Sequence, residues 1–198
     1  MTPDKILATY EKVAATWDKD RNQSLFERRW LDRMMNHAPG RRVLDLGCGA
    51  GRPIATYLCE RNANLTGVDG AAAMIALFEE NVPNASAIHA DMRGLDLGET
   101  FDAILAWNSF FHLSPDDQKA MFPVFQRHAA PGAALMFTSG PANGTAIGEV
   151  AGEPVYHASL APEDYEALLN EHHFHVRDFR PEDPECGGHT IWLARFTP

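Results

Sequence analysis

The stretch VLDLGCGAG, residues 43–51, constrains this chain more than any other part of it. A short apolar run carrying Asp45 breaks into glycines at 47, 49 and 51, and a helical pattern, RPIATYLCERN, follows at once. Glycine lets a chain turn tightly and brings backbone N–H groups close to a ligand that a Cβ would hold off. A glycine loop between a strand and a helix is where doubly wound α/β sheets bind ligands. A dinucleotide fingerprint would need glycines at 47, 49 and 52, but position 52 is Arg.

The remaining chain repeats the same alternation. Apolar runs read as strands at RRVLDLG, NLTGVD, ASAIHAD, FDAILAW and AALMFTS, with helical stretches RPIATYLCERN, AAAMIALFEEN and PDDQKAMFPVFQRHA between them. A further helix is expected from Pro162 to His172, with Ser159 as a possible cap. Two final strands, FHVRDFR and HTIWLARF, are joined by PEDPECGG, about the length of a hairpin loop. The pattern predicts an α/β fold: a Rossmann-like doubly wound sheet of seven strands, the last antiparallel, with helices on both faces. Before it, Ile6, Leu7, Tyr10, Val13, Ala14 and Trp17 recur at helical spacing, and a second periodic run from Leu25 to Met35 ends at Pro39-Gly40. Residues 1–40 are expected to form a two-helix lid and residues 41–198 one compact body. GPANGTAIGEVAGEP, after Ser139, reads as a long connection or flap.

Charge narrows the partners. The chain has 198 residues with 17 basic and 27 acidic side chains, a net charge of −10. Residues 1–42 are slightly basic, with 9 basic and 6 acidic residues, so the acidity belongs to the body. Such a surface repels phosphate backbones and anionic lipid, which argues against nucleic acid and membrane as partners. Cys48, Cys59 and Cys186 are odd in number and lack zinc or redox spacing, so free thiols, a soluble protein and a cytoplasmic location are expected. Oligomeric state is not legible.

Three acids stand at the ends of three successive expected strands: Asp45, Asp69 in NLTGVD, and Asp91 in IHADM. Asp69 can accept hydrogen bonds from both hydroxyls of a ribose. A carboxylate or backbone group at Asp91 can reach an adenine amino group, with Met92 packing on the ring. Acids in this arrangement favour an adenosyl ligand without phosphates.

The chain resembles the class I S-adenosylmethionine-dependent methyltransferases, from Tyr10 to Phe196. VLDLGCGAG is similar to the family's first motif, GVDG to its ribose-binding acid, HADM to its adenine segment, FDAILAWNSFFHL to its fourth motif and PGAALMFTS to its fifth strand. The resemblance implies S-adenosyl-L-methionine as cofactor, S-adenosyl-L-homocysteine as product, and methylation of a small-molecule substrate at oxygen or nitrogen. By position, Gly47, Gly49 and Gly51 would line the methionine part, Asp69 the ribose, and Asp91 with Met92 the adenine. Trp107 and Asn108 would face the transferable methyl. Tyr10 and Trp17 would cover the cofactor from a lid helix, and Arg21 would pair with its carboxylate. The chain departs from its relatives at Gly70, where Ser is common, at Asn108, where an acid is common, and at His173, where a Gly usually closes the last helix.

His112, just past the fourth strand, can act as a base toward an acceptor or simply cap a loop beside Ser114-Pro115. Phe111, Tyr156, His157 and His189 are candidates for the substrate pocket, with Tyr165 also near the flap. Glu185 and Cys186 cluster with His189 around a glycine pair that reads equally well as a tight turn. His172, His173 and His175 straddle a helix end, where their rings diverge, so no metal is expected. A cofactor-binding protein without catalysis, an NAD-dependent oxidoreductase and a protein methyltransferase are the competing readings, the oxidoreductase disfavoured by the glycine spacing.

Overall fold

The computed structural model describes residues 1–198. The sheet is built from β1 (Arg42–Leu46), β2 (Asn64–Asp69), β3 (Ser86–His89), β4 (Phe101–Ala106), β5 (Ala129–Ser139), and the late strands β8 (Phe174–Asp183) and β9 (His189–Phe196). Their order is β3-β2-β1-β4-β5-β9-β8, and β9 is antiparallel to both of its neighbours. The order in which strands are added reverses between β1 and β4, which run parallel, and this opens a crevice at their C-terminal ends.

Alternation along the central strands creates two cores. Val43, Ala103, Leu105, Met136, Ile191 and Leu193 point to one face, and Leu44, Ile104, Leu135, Phe137, Trp192 and Ala194 to the other. The first face is covered by α2 (Arg28–His37), α3 (Ile54–Glu60) and α4 (Ala72–Asn81); the second by α5 (Pro115–His128) and α6 (Pro162–Glu171). In the second core Phe110 packs at ring-centroid distances of 5.3–6.2 Å against Phe122, Phe125, Phe137 and Tyr165.

The two N-terminal helices have different jobs. Trp30, Leu31, Met34 and Met35 of α2 are buried in the first core, so α2 is a wall of the body. Only α1 (Ile6–Asp20) lies over the crevice. One side of α1 rests on Ala50, Ala71 and Met74; the other joins Val150 and Val155. No helix is long and apolar enough to cross a membrane.

The expected flap is ordered. Residues Gly144–Val150 (β6) and Glu153–Ser159 (β7) pair as an antiparallel hairpin. Its two turn residues, Ala151 and Gly152, have φ of 47° and 80°, the left-handed pair that joins hairpin strands without splaying them. Gly and Pro density hid the strands, while the Ala-Gly pair was their signal. Ser159 does not cap α6, whose N-cap is Ala161; its hydroxyl instead accepts the Gly140 N–H at 2.6 Å. His173 closes α6 with φ 63°, a conformation usually left to Gly, and His172 hydrogen-bonds Gln126 at 2.8 Å.

Phe110 starts the short helical turn Phe110–His112, so its packing also anchors His112. Phe110→Ala is expected to cost about 3–5 kcal/mol of stability in urea unfolding. A loss below about 1 kcal/mol would mean that this aromatic cluster does not set the position of the turn.

Candidate active site

The crevice between β1 and β4, roofed by α1, forms a cavity of about 1120 Å³ including its mouth. Its floor is the glycine loop. Gly47 and Cys48 donate their N–H groups to the Val68 carbonyl at 2.7 and 3.1 Å, tying the loop to β2. Gly47 has φ 75°, and a Cβ there would lie 2.2 Å from Ser109 Cβ; at Gly51, φ 81°, a Cβ would lie 2.5 Å from Val82. The loop therefore runs at contact distance from β4's end and α4, and any side chain would push it out of place.

Asp69 locks the loop from the side. Its carboxylate accepts the Gly49 N–H and the Ala71 N–H, both at 2.9 Å. Burial raises its pKa overall, and these N–H groups oppose only part of that rise. Asp45 has no such help. It is 4% exposed, and burial, with the nearby Asp69 charge, pushes its carboxyl up to about 7. Asp91 also lines the cavity, but burial is outweighed there by Arg93, which grips its carboxylate at 2.6–3.1 Å and holds its pKa below the ordinary value.

The cationic side chains in the wall are all occupied. Arg21 pairs with Glu27, Arg52 with Asp18, and Arg93 with Asp91. Arg21 sits between the rings of Trp17 and Phe26, with centroids 6.0 and 5.9 Å from its guanidinium carbon. Glu27, fully buried beneath it, keeps one carboxylate oxygen unpartnered. Nothing in the local pattern marked Glu27, because its partner is set by the path of the chain between α1 and α2.

Trp107 and Asn108 follow β4 into the cavity. Trp107 stacks on His189 at 5.5 Å, and its buried indole N–H has no partner. Asn108 adopts φ 51°, and its backbone N–H bonds Thr138 at 2.9 Å. His112 is 6% exposed; its Nδ1 lies 2.8 Å from the Tyr156 carbonyl and its Nε2 2.9 Å from the Tyr10 hydroxyl. Burial drives its pKa down to about 4, the Tyr156 carbonyl opposing and the nearby His157 adding, so the ring is neutral near pH 7.

Tyr10, Trp17, Arg21, Asp45, Gly47, Gly49, Gly51, Asp69, Asp91, Met92, Trp107, Asn108 and His112 thus share one cavity. The four expected substrate-pocket residues do not line it. Phe111 and His157 line a separate depression of about 710 Å³ between the end of β5 and the hairpin. Tyr156 packs beside Val150 and Val155 and offers only its carbonyl to His112. His189 lies behind Trp107, its Nδ1 2.7 Å from the Cys186 carbonyl. For Tyr156 and His157 the reason is the hairpin: alternation along β7 turns these neighbouring side chains to opposite faces.

Asp45 makes the empty protein pH-sensitive. Its folded pKa exceeds the unfolded one, so between pH 4 and 7 the folded state holds the extra proton, and stability falls as pH rises through that window. Asp45→Asn is expected to remove most of this loss and to stabilise the empty protein by about 2–4 kcal/mol at pH 8. Thermal unfolding at pH 5 and pH 8 reads it; an unchanged pH dependence would place the buried proton elsewhere.

Comparison with known proteins follows the same ground. Residues 43–132 match the family model of a methyltransferase domain. The cypemycin N-terminal methyltransferase of a Streptomyces species is 33% identical over 106 residues, 50% of this chain and 42% of that protein. The malonyl-[acyl-carrier protein] O-methyltransferase of Bacillus anthracis is 32% identical over 118 residues, 56% and 42% of the two chains. The chain thus spans less than half the length of either relative. Among solved structures, S-adenosylmethionine-bound CalS10, an amino pentose methyltransferase from Micromonospora echinaspora, shares the fold at TM-score 0.73 and 20% identity, over 94% of this chain and 96% of that one. With the glycine loop, the strand-end acids and the seven-stranded sheet, these matches show that residues 43–132 carry the sequence pattern of a methyltransferase domain and that the chain has the fold of solved S-adenosylmethionine-dependent methyltransferases.

Proposed function

We propose that the cavity under α1 binds S-adenosylmethionine and that the protein transfers its methyl group to a small-molecule acceptor at oxygen or nitrogen. One observation carries the reading: strand-end carboxylates and the glycine loop face a single roofed cavity whose arginines are already neutralised. A cationic, phosphate-free adenosyl ligand suits that field, whereas a pyrophosphate would meet Asp45 and Asp69.

The residues fit the cofactor part by part. The backbone of Gly47–Gly51 would lie along the methionine portion, and Asp69 would accept from the ribose hydroxyls while still holding the loop. Asp91 is committed to Arg93, so the adenine edge falls to the backbone at Asp91–Met92, with Met92 against the ring. Arg21 offers its remaining N–H groups to the carboxylate, and Trp17 with Tyr10 covers the site. The cofactor supplies a sulfonium-activated methyl group; the protein's part is to hold an acceptor in line with it and keep water out. Trp107 and Asn108 line the methyl-facing wall, and His112 is the base candidate. Three unpaired cysteines support a reducing, cytoplasmic setting.

Calorimetry with S-adenosylhomocysteine is expected to give micromolar or tighter binding, and Asp69→Ala to weaken it by about 1.5–3 kcal/mol. No heat at millimolar ligand would sink the proposal, and an unchanged affinity in the variant would remove the ribose assignment. Release of S-adenosylhomocysteine across a panel of small phenols, hydroxy acids and amines then identifies the acceptor class.

A further inference from the structure

A neutral hydroxyl or amine acceptor must give up a proton when it is methylated, and His112 with Tyr10 offers that proton a route. The Tyr156 carbonyl can only accept, so His112 Nδ1 carries the hydrogen and Nε2 presents a bare lone pair. The Tyr10 hydroxyl therefore donates to Nε2, across 2.9 Å. Phe111 and His157 pack on the imidazole at centroid distances of 4.9 and 4.8 Å, leaving little of it exposed. Nε2 is thus capped by Tyr10, while the Tyr10 oxygen, its one hydrogen committed to His112, retains a lone pair inside the shared cavity.

We propose that Tyr10 is a catalytic residue: its phenolic oxygen accepts the acceptor's proton while its own proton passes to His112 Nε2. This inference rests on the methyltransferase reading of the cavity. The acceptor's electron pair forms the bond to the methyl carbon, and the carbon–sulfur pair stays on sulfur. One proton leaves the acceptor and one arrives on His112, so Tyr10 ends as the phenol it began as. The positive charge brought by the sulfonium ends on the imidazolium, whose Nδ1–H still faces the Tyr156 carbonyl. Lifting α1 exposes that proton to solvent.

The two transfers are coupled. Burial, and behind it the Asp69 charge, holds the Tyr10 phenol well above its ordinary pKa, so a free tyrosinate does not form. His112 must take the proton as Tyr10 receives the other. Because Tyr10 belongs to α1 and His112 to the body, the relay exists only with α1 seated. Seating is guided by the Glu11 carboxylate on the Ala73 N–H at 3.0 Å and by ion pairs of Asp18 with Arg52 and of Lys12 with Glu153. The titratable groups around the relay are His157 from β7 and Asp69 from β2.

The test uses the full-length protein with S-adenosylhomocysteine bound and its histidines labelled with ¹⁵N. His112 is expected in the Nδ1–H form, neutral down to about pH 5, with Nε2 shifted by a donated hydrogen bond. In Tyr10→Phe the tautomer is expected to persist, the Nε2 signal to move to that of a bare lone pair, and the imidazole pKa to rise by about one unit. With the acceptor found by the panel, the same variant is expected to lose about 100-fold or more in kcat, with KM and S-adenosylhomocysteine affinity within threefold. Adding His112→Ala should lower kcat little further. A wild-type His112 protonated on Nε2, an Nε2 signal unmoved by Tyr10→Phe, or full kcat in that variant would each overturn the relay. Failure of S-adenosylhomocysteine to bind the wild-type protein would instead overturn the cofactor reading beneath it.

Discussion

Two backbone N–H groups, from Gly49 and Ala71, converge on the Asp69 carboxylate, and the rest of the site is arranged around that convergence. The bonds join the loop after β1 to the turn after β2, on one side of the crevice that opens between β1 and β4. They are charge-assisted and sheltered from water, so they resist loosening more than an exposed pair would. They also offset part of the burial that raises the Asp69 pKa. Asp45, one strand away and without donors, shows the alternative: near neutral pH it is on the edge of taking a proton.

This imbalance between two neighbouring acids links structure to ligand. Burial raises the pKa of both carboxylates, with the backbone N–H groups opposing it only at Asp69, so a cation in the cavity would favour the charged forms of both. Its arginines do not supply that cation, because each is already paired. Under the proposed reading the charge comes with the ligand, which would also give Asp69 ribose hydroxyls to accept from and would meet a loop with no room for side chains. S-adenosylmethionine meets all three conditions at once. The roof adds a further layer, since α1 brings Tyr10 onto His112 and joins the hairpin to α4 across the opening.

Most of the sheet was legible in the residues because parallel strands buried on both faces read as short, predominantly apolar runs, as in RVLDL and FDAILA. The cavity floor was legible because glycine spacing and strand-end acids are local signals. What escaped depends on distant chain paths. β6 carries two glycines and is mostly exposed, and β7 opens on Glu153-Pro154, so neither has the apolar density of a core strand, and only the Ala151-Gly152 pair betrays the turn. The two helices before the body share a period, yet α2 buries Trp30 and Met34 under the sheet while α1 lies over the site. Phe111, Tyr156, His157 and His189 all fall close to the cavity along the chain, but β7's alternation and the His189–Trp107 stack take their side chains elsewhere. Neither the tautomer of His112 nor the ion pair of Glu27 can be read from sequence, since each is set by a partner from another element.

The central claim is that one cavity, floored by the glycine loop and roofed by α1, is the cofactor site. Hydrogen–deuterium exchange with and without S-adenosylhomocysteine tests it most directly. The account predicts slowed exchange in two separated segments, residues 6–20 of α1 and residues 47–51 of the loop, with the far edge of the sheet at β8 unchanged. Protection of the loop without α1, or of neither segment at saturating ligand, would contradict it.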